Sequence, residues 1–208
     1  MAATRIHPLI KIVVILAALA ASGWLFVRSA RDARAEPYQM ASSHLRGWTL
    51  GIESAADSHD SMVSLRPPPE LPQYLFRQLF SRQMESMGTP GTPGIPLVLR
   101  RELPATMTAD QVLSLAQSAG LDRAAIAPRC VGYRRLSAIG STRQLYYVLF
   151  TVAGFEGFRS SLAQQAGAGF QAEALSPVLM MASQPDFSGW MPIGADAERD
   201  CIAPVDVN

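Results

Sequence analysis

Leu145-Tyr146-Tyr147-Val148-Leu149-Phe150 is apolar at every position. A half-exposed strand alternates apolar and polar residues, whereas an unbroken apolar run of this length marks a strand buried on both faces. Leu145 to Val152 therefore predicts a central strand in a sheet that must be covered on each side. Immediately upstream, Cys130 to Leu136 reads as a second strand, with Gly140-Ser141 as the turn between them. Downstream, Phe155 to Ala166 has helical spacing with Phe158 and Leu162 inward, and Pro177 to Ala182 supplies another strand.

Working back toward the N-terminus, Ile95 to Arg100 reads as a strand. Thr108 and Gln111 form a capping box that opens a helix from Ala109 to Ala119, with Val112, Leu113, Leu115, Ala116 and Ala119 on its apolar face. Gly120 stops it. The order is β-α-β-β-α-β, the split βαβ arrangement of ferredoxin-like domains, in which the third strand is central. The expected fold is α+β. A sheet of this kind carries helices on one face only, so the other face needs a cover.

An extra amphipathic helix from Gln73 to Met87 is the expected cover. It places Leu75, Phe76, Leu79, Phe80, Met84 and Met87 on one half of its wheel, opposite Arg77, Arg82 and Glu85. A second subunit would serve the same purpose. Leu75, Phe76, Leu79 and Phe80, with Tyr146, Val148 and Phe150 of the strand, are therefore the candidate interaction residues for a protein partner or a homodimer. Ahead of the helix, Trp48–Ile52 and Met62–Leu65 read as short strands around a polar loop at Asp57–Asp60. Arg66-Pro67-Pro68-Pro69 is extended, because proline fixes φ and restricts its predecessor. The organisation expected is a tail and membrane helix at 1–35, a juxtamembrane segment with a proline-rich spacer at 36–72, and a soluble α+β domain at 73–208. The segment from Gln184 to Asn208 shows no periodicity and is expected to wrap the domain as an ordered loop.

The first 35 residues have a different character. Ile12 to Val27 carries no charge, and with Leu9 and Ile10 the run spans about 28 Å as a helix, close to the thickness of a bilayer core. Ile12, Val13, Val14, Ile15, Leu16, Leu25, Phe26 and Val27 would face lipid, and Trp24 would lie near the headgroups. The segment reads as an uncleaved signal anchor. Ala33-Arg34-Ala35 also offers a cleavage pattern ahead of Glu36, which would make it a removable signal. Lys and Arg are nearly balanced across the helix, with slightly more after it, which by itself would favour a cytoplasmic domain. The cysteines point the other way. Cys130 and Cys201 are the only two, and their spacing suits neither zinc nor a redox motif. A disulfide between them places the domain in an oxidising space. Lys11 is the only lysine, and the heavy use of Arg, Ala, Gly and Pro is that of a GC-rich genome. The expected address is a bacterial inner membrane, single-pass, with the C-terminal domain in the periplasm; secretion after cleavage is the alternative.

Composition limits the chemistry further. The chain is 49% hydrophobic and 17% charged, values of a folding chain. Its net charge of +1 gives no broad attraction for nucleic acid. No metalloprotease, nucleophile-elbow, P-loop or dinucleotide motif is present. His44 and His59, with Asp57 and Asp60, are the one set that could hold a metal or a catalytic base, although Asp-Ser-His-Asp is also the composition of a solvated turn. No catalytic residue, metal or cofactor is expected. The function expected is protein binding or assembly in the envelope. The competing reading is a small-ligand binder or hydrolase with a pocket near His44 and His59.

Overall fold

The structure, a computed structural model, describes residues 8–54, 60–83, 86–89, 94–138, 141–172, 174–183 and 194–208. Contacts divide the chain into two compact units, Met1–Glu36 and Pro37–Asn208. The first contains helix α1 (Pro8–Ala35). Its window Ile12–Ser29 has a mean hydropathy of 2.0 and no buried residue. Trp24, Leu25, Phe26 and Val27 are exposed, as are Ile12 to Leu16.

The second unit is mixed α+β, with two sheets. Strands β1 (Tyr38–Met40), β8 (Cys201–Val207), β5 (Ile126–Ala138), β6 (Ser141–Val152) and β7 (Val178–Ser183) form a five-stranded sheet in that order. β1 runs parallel to β8, and the other neighbours are antiparallel. Register shifts at Pro128/Cys130, Val131/Gly132 and Tyr146/Tyr147 add local twist and curl the sheet. Strands β2 (Thr49–Ile52), β3 (Ser61–Arg66) and β4 (Ile95–Leu99) form a separate antiparallel sheet. The helices are α2 (Glu70–Gln83), α3 (Ala109–Ser118), α4 (Phe155–Ala166) and the single turn α5 (Ala197–Asp200).

The strand order corrects the ferredoxin-like expectation. That topology inserts Ile95–Leu99 between β6 and β7. Here β6 pairs directly with β7, Leu145 opposite Ser183 through Leu149 opposite Val178, and β4 pairs with β3 instead. There β4 joins Val63 and Leu65 of β3, which are buried with it in the main core. The domain boundary expected at residue 73 moves for the same reason. Tyr38, Met40, Trp48, Val63 and Leu65 share one core with Leu75, Leu79 and Val148, so the domain begins at Pro37. The prolines at 67 and 68 connect β3 to α2 inside the domain, and α2 starts at Glu70 with Pro72 in its first turn, where a missing N–H costs little.

The central strand is buried on both faces, as its sequence implies. Tyr146, Val148, Phe150 and Val152 enter the main core with Leu179 and Met181 of β7. Leu145, Tyr147 and Leu149 enter a second cluster with Cys130, Val178, Met180 and Ala195. The expected cover for that second face, α2, is not there. α2 buries Leu71, Leu75 and Leu79 in the main core, and Ala195, Ala197 and Cys201 pack on the second face.

The C-terminal segment is a strand where a loop was expected. Pro204 hides it, since proline cannot donate to a ladder. The register resolves this: Cys201, Ala203 and Pro204 lie opposite β5, whereas Val205, Asp206 and Val207 lie opposite β1. Pro204 sits where the strand changes partner. The outer edge of β1 is capped in turn by Gln78 of α2, whose side-chain amide bonds both the N–H and the carbonyl of Gln39 at 2.8 Å. A side chain here takes the place of a neighbouring strand.

Candidate functional site

Two arginine–carboxylate centres flank a cleft of about 690 Å³ between α4 and the segments 170–172, 174–176 and 194–199. The first is built on α4. Arg159 follows Phe158 on the apolar side of the helix, so it enters the interior with Phe155, Phe158 and Leu162. There its Nη1 donates to Glu102 Oε2 at 2.9 Å and its Nη2 to Oε1 at 2.5 Å. Glu102 ends the short turn after β4, is fully buried, and also accepts from the Leu99 N–H at 2.6 Å. The guanidinium lies 5.3 Å from the Phe170 ring, which forms part of the cleft wall.

The second centre is built on α5. Asp196 caps that turn by accepting from the N–H groups of Glu198 and Arg199. This points Asp200 inward, where it is only 4% exposed. Arg134 of β5 donates to it through Nε at 3.1 Å and Nη2 at 2.8 Å, Arg199 donates through Nε at 2.9 Å, and the Asp196 N–H at 2.9 Å. Burial alone would raise the Asp200 pKa. The hydrogen bonds from Arg199 and Arg134 outweigh it and hold the carboxyl well below the usual range. Tyr147 of β6 lies fully buried on this side of the sheet, and its hydroxyl has no hydrogen-bond partner of good geometry among the described residues. Burial, and then the nearby Asp200 carboxylate, push its pKa up.

The disulfide joins this centre. Cys130 on β5 and Cys201 at the head of β8 are bridged, with Cα atoms 5.7 Å apart and a sequence separation of 71. The bond and the Asp200 cluster are consecutive in the chain. Together they fasten the segment 195–201 over Tyr147.

Arg159 and Arg199 are already engaged by carboxylates, and the Ser176 hydroxyl donates to the Ala195 carbonyl at 2.7 Å. Among the described residues, no group of three or more His, Cys, Asp or Glu side chains is placed to hold a metal ion. His44 does not line the cleft. It sits in the turn Ser42–Leu45 with its ring 5.2 Å from Tyr74, and its carbonyl accepts from Trp48 Nε1. Asp57 and His59 lie outside the described residues, so the histidine–carboxylate set is described only at His44 and Asp60, the latter paired with Arg101 at 2.9 Å.

The candidate interaction residues divide sharply. Leu75, Leu79, Tyr146, Val148 and Phe150 are interior, Phe76 is partly buried, and Phe80 alone is half-exposed at 52%. Sequence reading missed Arg159–Glu102 and Arg134–Asp200. The signal for the first was present, since a charged residue on the apolar face of a helix needs a buried partner. Compared with known proteins, the chain matches no family model, no curated protein and no solved structure.

Proposed function

We propose that the chain is a single-pass envelope protein. In this reading α1 anchors it in a bacterial inner membrane, and the Pro37–Asn208 domain stands in the periplasm, where it binds another protein or a second copy in an assembly. The observation that carries this reading is the pairing of two features in one chain. One is an apolar helix of membrane length with no buried residue. The other is a domain closed by a disulfide, a bond that persists in oxidising compartments. Binding rather than catalysis is favoured by the cleft, whose arginines are committed to internal ion pairs.

A second reading keeps the compartment and changes the attachment. Ala33-Arg34-Ala35 would be cut and the domain released. Against it, α1 continues as helix through Ala35, and charged residues lie between the apolar run and the cut. Carbonate washing of membranes separates the two. The full-length chain in the pellet supports the anchor; a soluble species beginning at Glu36 supports the released form.

A further inference from the structure

We infer that the exposed face of α2 docks on the same face of a second copy of the chain, the two helices running antiparallel. The inference rests on the reading of the domain as a binding module and names its partner. It comes from an order of charges that a single copy leaves unused. At 100° per residue, Glu70, Gln73, Tyr74, Arg77 and Phe80 fall on one stripe of α2. Tyr74 is half-buried and the other four are exposed. Polar residues beside the stripe are committed: Gln78 holds the Gln39 backbone, and Arg82 donates to the Pro37 carbonyl at 2.9 Å. Glu70 and Arg77 have no hydrogen-bond or ion-pair partner among the described residues. Nor can they serve each other. Seven residues of helix hold them about 10 Å apart along the axis.

A second copy satisfies both charges in one orientation only. Parallel helices in register would set Glu70 against Glu70 and Arg77 against Arg77, and like charges repel. Antiparallel helices related by a two-fold axis beside Gln73 and Tyr74 set each Glu70 against the other copy's Arg77. The symmetry makes that match twice. The same register carries Phe80 toward residues 67–69 of the second copy, where Pro69 is exposed. Phe80 is 52% exposed, and its ring stacks on Phe76 with centroids 6.0 Å apart. The aromatic pair thus gains an apolar neighbour, and aromatic residues are enriched in the cores of such interfaces.

The test uses the full chain in cells. Gln73→Cys places a thiol beside the two-fold axis, and Gln117→Cys on α3 is the comparison site. Cells are oxidised briefly with copper phenanthroline, then membrane pellet and supernatant are resolved by size without reductant. The inference predicts a species of doubled mass for Gln73→Cys and not for Gln117→Cys. Adding Glu70→Arg or Arg77→Glu to the Gln73→Cys chain turns both symmetric matches into clashes, and should slow its cross-linking about tenfold. Combining the two reversals in one chain restores the rate, as does coexpressing the two single variants, which also shows that each variant folds. No cross-link at Gln73→Cys overturns the docking. So do equal rates at the two sites, indifference to charge reversal, and a cross-link to a protein of another mass. The fractions read the anchor separately: chain in the supernatant contradicts the membrane reading, and its cross-linking still decides the docking.

Discussion

Arg159 and Glu102 form a two-bond ion pair in which the arginine side chain keeps 10% of its surface exposed and the glutamate none. The pair links α4 to the turn that closes β4. Removing one member leaves the other charged and buried, which typically costs about 3–5 kcal/mol. Arg159→Met is therefore expected to lower stability by about that much, read as a shift in the urea midpoint of the domain transition. Arg159→Met with Glu102→Leu is expected to recover much of the loss, because no uncompensated charge remains. Equal midpoints for the single and double variants would contradict this.

The Cys130–Cys201 bond closes a loop of 71 residues. In the chain-entropy treatment such a loop contributes about 4 kcal/mol. Cys130→Ala with Cys201→Ala is expected to lower the thermal midpoint, and a reductant should lower that of the wild-type chain but not of the variant. A wild-type midpoint indifferent to reductant would mean the bond contributes nothing.

Acid should weaken the domain through Asp200. Its carboxyl titrates well below the usual range when folded, so its contribution is complete above about pH 4 and is lost as pH falls below that value. Glu53 is a second such group: burial opposes its charge, but bonds from Arg66 and Ser64 hold its pKa low, so its sign is the same. Asp200→Asn should flatten part of the acid limb of a stability–pH profile and leave the Glu53 part. Tyr147 acts at the other end. Its raised pKa makes stability fall as pH climbs above about 10. An unchanged acid limb in Asp200→Asn would remove Asp200 from the set.

Gly132 of β5 lies under the Tyr147 ring, and a Cβ there would overlap Tyr147 Cε2. The obstacle is packing, since the backbone is ordinary strand. Gly132→Ala is expected to cost about 1–3 kcal/mol, the range for an overfilled interior. Tyr147→Leu in the same chain should relieve part of the cost, a coupling that a double-mutant cycle measures directly.

Much of the fold was legible because local patterns decided it. The capping box at Thr108 and Gln111 forms as read, with bonds of 3.3 and 2.8 Å. α4 spans Phe155–Ala166, the range its spacing implies. The double-sided apolarity of Leu145–Phe150 translated into two separate clusters. What failed was partner choice. Nothing local in Ile95–Leu99 distinguishes pairing with β3 from insertion beside β6, since all five residues are buried in either case. β8 was lost to Pro204, whose tolerance depends on a change of neighbour that only the assembled sheet defines. The Asp200 cluster was invisible because Arg134 and the 196–200 segment are distant in the chain. For the same reason, the sheet face expected to lie under α2 is covered by the protein's own C-terminal segment.

The most direct measurement of the central claim is thiol tagging of native membranes. After carbonate washing and denaturation without reductant, the pelleted chain is treated with a mass-tagged maleimide and resolved by size. An anchored domain in an oxidising space predicts a full-length 22.5 kDa species in the pellet that accepts no tag, and two tags once reductant is added. A water-soluble chain that accepts both tags without reductant would contradict the membrane address and the disulfide at once.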